Sequence, residues 1–98
     1  MLYAILHDEN ISQMGKREQL AVSETLHIVE PDLAAVIDTV ELTPKETFYC
    51  IMHYYGKTDQ QKAQCFCCTE QALRSTKSRL NKKLDIDQLS HRSTKGQD

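Results

Sequence analysis

Three times between Leu42 and Leu84 the chain spells out the opening of a helix, each time with a threonine. Thr43-Pro44-Lys45-Glu46 places a hydroxyl at the N-cap, proline at the first helical position and glutamate at the third, a capping box with its preferred first residue. Thr58-Asp59-Gln60-Gln61 repeats the form with glutamine, directly after Gly56, a natural stop for the preceding helix. Thr69-Glu70-Gln71-Ala72 opens a third. Between Thr58 and Thr69 there is room for about two helical turns and a short connection. A short helix, a tight turn and a longer helix form the outline of a helix-turn-helix.

The remaining pattern is helical as well. From about Ser12 or Gly15 to Val29, the residues Val22, Leu26 and Val29 stand at i, i+4 and i+7. Glu30-Pro31 ends that helix, because the residue before proline is pushed out of the helical region. Pro31 then suits the first turn of another, striped by Leu33, Val36, Ile37 and Val40. Met1 to Met14, with Leu2, Ile5, Leu6, Ile11 and Met14, suits a helix or a loosely packed arm. The helix opening at Thr43 carries Phe48, Ile51, Met52 and Tyr55 on one face, with Tyr49, His53 and Tyr54 to its sides, and is expected at the centre of the core. The short helix offers Ala63 and Phe66, and the last offers Leu73, Leu80 and Leu84.

At 98 residues there is room for one small core. The expected fold is all-α: a small helical bundle containing a helix-turn-helix, with preceding amphipathic helices. Residues 1–41 read as a helical lead-in for dimerisation or interaction, 42–86 as the helix-turn-helix and 87–98 as a polar tail. No apolar run is long enough for a membrane span or a signal-peptide core, so a cytoplasmic chain with no membrane partner is expected.

The net charge of −2 conceals an asymmetry. Residues 1–41 hold Lys16 and Arg17 against eight acids, whereas residues 56–98 hold nine lysines and arginines against five acids. An acidic front joined to a basic back points to a polyanion-binding end. Along the last helix no acid follows Glu70 until Asp85, while Arg74, Lys77, Arg79, Lys82 and Lys83 intervene. Such a row calls for a counter-charge, and a phosphate backbone supplies one.

The residues resemble the LuxR/NarL-type helix-turn-helix domain of bacterial transcription regulators. Leu42-Thr43-Pro44-Lys45-Glu46, Gly56, Ala63, Phe66, the run Cys68 to Ser75, and Leu80-Asn81-Lys82-Lys83-Leu84 keep that family's spacing over residues 42–86. Its pattern runs from an LTxxE opening, through a glycine before the scaffold helix and an [IV]SxxTV turn, to a KKL ending. Two positions depart from it. Lys62 stands where the family has isoleucine or valine, its stem expected on the core and its amine in solvent; Cys68 replaces the apolar residue before the turn serine, here Thr69. The resemblance implies a regulator that binds double-stranded DNA, read here as having no enzymatic activity and no cofactor; the short polar tail leaves no room for the family's fourth helix, and because a lone recognition helix seldom gives useful specificity, a homodimer formed through the front half is expected. The resemblance places Arg74, Ser75 and Ser78 at base edges and Gln71, Lys77, Arg79 and Lys82 nearer the phosphates. Amides near Thr69 and Glu70, at the helix start, are a further phosphate site.

Other readings stand beside this one. The acidic front and a degenerate helix-turn-helix also suit a protein-interaction module, for example a sigma region 4-like piece associated with RNA polymerase. Cys65, Cys67 and Cys68 crowd together with Cys50, but Cys-x-Cys-Cys with one distant partner matches no common zinc arrangement. Packing is the expected role of these thiols, with metal binding or redox sensing as the alternative. His7, His27 and His91 are scattered, and Glu46 is better explained as a cap than as a catalyst.

Overall fold

Every side chain from Glu46 to Met52 is buried, so one short helix is surrounded by the rest of the molecule. The computed structural model describes Ile11 and residues 13–84; Leu2, Ile5, Leu6 and the tail 87–98 lie outside the described residues. The described part is all-helical: α1 (Lys16–Val29), α2 (Pro31–Asp38), α3 (Pro44–Tyr54), α4 (Asp59–Phe66) and α5 (Glu70–Asn81). The buried helix is α3, which packs against α1, α2 and α5, while α1 also packs on α2 and α4 on α5. One core runs through all five helices, joining Val22, Leu26, Leu33 and Ile37 to Phe48, Ile51, Met52, Phe66, Leu73 and Leu80. The lead-in helices and the helix-turn-helix therefore share one interior.

The threonine caps form as the spacing predicts. Thr43 Oγ1 accepts from the Glu46 amide at 3.2 Å, and Glu46 Oε1 accepts from the Thr43 amide at 2.9 Å. Thr58 and Gln61 repeat the exchange at 3.1 and 2.8 Å. Thr69 Oγ1 accepts from the Ala72 amide at 3.1 Å, one half of the box, since alanine has nothing to return. Gly15, lacking a side chain, shows the opposite half: its amide donates to Glu18 Oε1 at 2.9 Å.

Helices α3 and α4 end alike. Gly56 (φ +80°) follows α3, with Lys57 N bonding to Met52 O and Gly56 N to His53 O, a Schellman closure. After α4 the same two bonds run from Cys68 N to Ala63 O and from Cys67 N to Gln64 O, and Cys67 takes the left-handed conformation at φ 54°. A cysteine there carries a steric cost that glycine avoids. Cys67→Gly is expected to stabilise the fold by about 1 kcal/mol, raising Tm by roughly 4–8 °C in thermal unfolding monitored by circular dichroism. An unchanged or lower Tm would contradict the strained closure.

Two expected stripes turn out rotated. Val29, the last residue of α1, is 50% exposed, while Val22 and Leu26 are buried as expected. In α2 the buried set is Leu33, Ala34 and Ile37, with Val36 37% exposed and Val40 beyond the helix end. Eight residues give barely two turns, so contact with both α1 and α3 selects the arc centred on Leu33 and Ala34. Tyr49, expected at the side of α3, is 1% exposed, and Tyr55 is only half-buried.

Polar bonds fix the helix ends. Tyr54 and Tyr55 hydroxyls each donate to a Glu30 carboxylate oxygen at 3.0 Å. Burial, then Glu30 and Tyr54, push the Tyr55 phenol up to about 12. Gln19 Nε2 donates to Leu42 O at 2.9 Å and to Thr47 Oγ1 at 2.8 Å. His27 bridges α1 and α2, with Nδ1 2.7 Å from Ser23 O and Nε2 2.6 Å from Asp38 Oδ2. Both neighbours are acceptors, so the geometry requires the doubly protonated ring. Its pKa is accordingly raised above 6.5, first by the Ser23 carbonyl and then by Asp38. A raised folded-state value means that the stabilisation is complete below 6.5 and is lost as pH rises through the folded pKa. An NMR titration should place His27 above 6.5, and Asp38→Asn should lower it; an unmoved midpoint would show that the bridge does not form in solution.

Candidate nucleic-acid interface

Helix α5 is the most amphipathic element. Leu73, Thr76 and Leu80 are buried against the bundle. At about 100° per residue, Gln71, Arg74, Ser75, Ser78 and Lys82 fall within one arc of roughly 100° centred opposite that stripe, and all five are exposed. Lys77, half-buried, and Arg79, exposed, flank the arc on either side. The candidate set proposed from the sequence is thus gathered on one outward surface, with Thr69 at its head.

Some of these groups have local partners. The Thr69 hydroxyl is occupied by the Ala72 amide, while the Glu70 and Gln71 amides sit in the first turn, where no intrahelical acceptor exists. Ser75 Oγ donates to Gln71 O at 3.4 Å, and Arg79 Nη2 to Thr76 Oγ1 at 3.4 Å. Arg74 and Lys82 make no ion pair among the described residues. Neither α1 nor α2 is among the principal packing partners of α5, so the arc faces outward.

Lys83 behaves differently from the other cations in the row. Its Nζ donates to Glu46 Oε1 at 2.8 Å and to Glu41 O at 3.0 Å, pinning the end of α5 to the start of α3. The Glu46 carboxylate, 4% exposed, thereby receives both a backbone amide and an ammonium. Burial alone would raise its pKa, but the bonds from Lys83 and Thr43 outweigh it and hold the carboxyl below 4.5. The link between a cap glutamate and a lysine 37 residues later is invisible to local pattern reading.

The Lys62 amine does not reach solvent as expected. Its side chain is 3% exposed, with Nζ 4.6 Å from the Tyr49 ring centroid, 3.1 Å from His53 Nδ1 and 3.5 Å from Asp59 Oδ1. A cation–π contact and two acceptors replace part of its water shell. The remaining loss of hydration is the main reason its pKa is lowered from 10.5. Helix α4 is consequently well buried, through its lysine rather than in spite of it.

The cysteines divide. Cys50 and Cys65 are fully buried, and burial, followed by the Glu46 charge, pushes the Cys50 thiol up to about 12. Cys68 is half-buried and packs against the core, whereas Cys67 is exposed, so packing describes three of the four. Among the described residues no group of three or more His, Cys, Asp or Glu side chains converges as metal ligands would. Nor is any described helix long and apolar enough to cross a membrane.

No family model matches the chain, and no curated protein or solved structure matches it.

Proposed function

We propose that the chain binds double-stranded DNA through the outward arc of α5 and regulates transcription as a helix-turn-helix protein of LuxR/NarL type. The observation that carries the reading is the exposed arc of Gln71, Arg74, Ser75, Ser78 and Lys82, opposite the buried stripe and free of carboxylates from Gln71 to Leu84. In this reading Arg74 pairs with a guanine edge, Ser75 and Ser78 contact neighbouring bases, and Gln71, Lys77, Arg79 and Lys82 hold phosphates. The open amides at the start of α5 supply a further phosphate contact. One such helix reads few base pairs, so a two-fold dimer on paired half-sites completes the proposal. The protein acts here as a binding module in the cytoplasm and not as a catalyst.

Salt dependence tests this. With about three phosphates neutralised per protomer by Lys77, Arg79 and Lys82, the plot of log Kobs against log salt for duplex DNA should fall with a slope of roughly −3 for one protomer and −5 to −6 for the two-fold dimer. A flat plot, or no retardation of a random duplex at low salt, would refute DNA binding and leave the interaction-module reading, with RNA polymerase as one candidate partner.

A further inference from the structure

Helix α1 turns one face to the core and leaves the other bare. Val22 and Leu26 are buried, and at about 100° per residue the arc centred opposite them holds Arg17, Leu20, Ala21, Glu24 and Ile28. All five are exposed, Leu20 by 64% and Ile28 by 82%. A single aliphatic side chain in water needs no explanation. Here two large ones share an arc with a small residue and with one charge of each sign.

The order of those charges selects the occupant. Arg17 and Glu24 make no ion pair among the described residues. Seven positions separate them, about 10 Å along the axis, so they cannot pair within one helix. Neither has an opposite charge three or four residues away on α1 except His27, which is held between Ser23 and Asp38. An antiparallel copy of the same helix supplies both missing partners. With a two-fold axis between Leu20 and Ala21, Arg17 and Glu24 are equally far from the axis, so each Arg17 stands level with Glu24 of the second copy. Leu20 then meets the second copy's Leu20, and Ala21 its Ala21, the alanines letting the two helices approach closely. Ile28, one turn beyond Glu24, covers each ion pair from the outside. The arc is its own complement, the condition for a two-fold contact, and a wholly acidic or wholly basic partner would leave one of its charges opposed.

We propose that α1 pairs with α1 of a second copy in this antiparallel register, making the chain a two-fold dimer. The proposal names the contact of the dimer that the DNA reading calls for, and rests on that reading only for the use to which the dimer is put. Four helical turns bury less than the standard interface of about 1,600 Å², so the dimer should dissociate in the micromolar range.

Sedimentation equilibrium of the whole chain without DNA, from about 1 μM to 1 mM, reads the association. The parent should show a monomer–dimer equilibrium. Arg17→Glu alone and Glu24→Arg alone each turn both ion pairs into like-charge contacts, and each should weaken the dimer by at least about tenfold. Mixed one to one, the two variants should associate with each other at close to parental strength, because pairing one with the other restores opposite charges at both contacts. Both sites are exposed, so thermal unfolding of each variant should match the parent within about 2 °C. Amide shifts of Leu20, Ala21 and Glu24 on diluting the parent map the face without any substitution. A parent that stays monomeric, single variants that dimerise as well as the parent, a mixture that associates no better than either variant alone, or shifts confined to other helices would each overturn the proposal. A monomer that still retards duplex DNA at low salt sinks this contact alone, and a dimer that ignores duplex sinks the DNA reading alone.

Discussion

Replacing Arg74 and Lys77 together with alanine is expected to weaken duplex binding by about two orders of magnitude. In the proposed reading, loss of a base-reading arginine costs about 1–3 kcal/mol and loss of a phosphate-contacting lysine about 1 more, with 1.4 kcal/mol per tenfold change. The two losses differ in kind. Arg74→Ala alone should flatten discrimination between duplex sequences, whereas Lys77→Ala alone should weaken all sequences similarly and make the salt slope shallower by about one. Folding should survive both changes. Arg74 is exposed on the outer arc, and Lys77 acts on the buried Lys62 as a like charge. Fluorescence anisotropy with a matched duplex, alongside thermal denaturation, separates affinity from stability. Equal affinity of the double variant and the parent would end the assignment of α5 as a recognition helix.

The second large effect is on folding. Lys83→Met is expected to cost about 2–3 kcal/mol, because it leaves the almost fully buried Glu46 carboxylate with the Thr43 amide but without its cation. The figure lies at or below the range for fully buried pairs because the Lys83 side chain is 38% exposed and part of its interaction is screened. The pH dependence follows from the direction of the shift. Glu46 is held below 4.5 in the folded state, so its contribution is present above 4.5 and disappears as pH falls through the folded value. Removing Lys83 leaves burial to act against fewer opposing bonds, which raises that value and moves acid unfolding to higher pH. Urea unfolding at neutral pH, repeated down to acid, measures both effects. Identical curves for variant and parent would show that the α3–α5 clamp contributes nothing in solution.

The caps were legible before the fold because their partners lie three residues apart. Thr43 with Glu46 and Thr58 with Gln61 can be read from spacing alone, and Gly56 marks the turn that closes α3, whereas the left-handed Cys67 that closes α4 carries no such signal. The outward arc of α5 was legible for a similar reason, since helical periodicity opposes it to Leu73, Thr76 and Leu80. What escaped depended on neighbours distant in sequence. Lys62 looks surface-bound until Tyr49 and His53 of α3 form its slot, and Lys83 looks like one more cation until Glu46 claims it. Ala34 displaced Val36 from the interior because α2 must satisfy two neighbours with two turns, a geometric choice that hydrophobicity alone does not encode. Val29 and Val36 escaped for the converse reason: both fall on the expected apolar stripes while facing water.

The position of α3 has a consequence for synthesis on the ribosome. Val22, Leu26 and Leu33 emerge first but close on Phe48, Ile51 and Leu80, and the Ile11 amide bonds to Cys65 O at 2.8 Å. At roughly 5–20 residues per second, the stretch from residue 40 to residue 80 takes about 2–8 s to translate. During that interval α1 and α2 have no interior to join. Their apolar side chains are then open to solvent and to ribosome-associated chaperones, and a slow codon placed within the last helix would lengthen the exposure more than the same codon placed near the start.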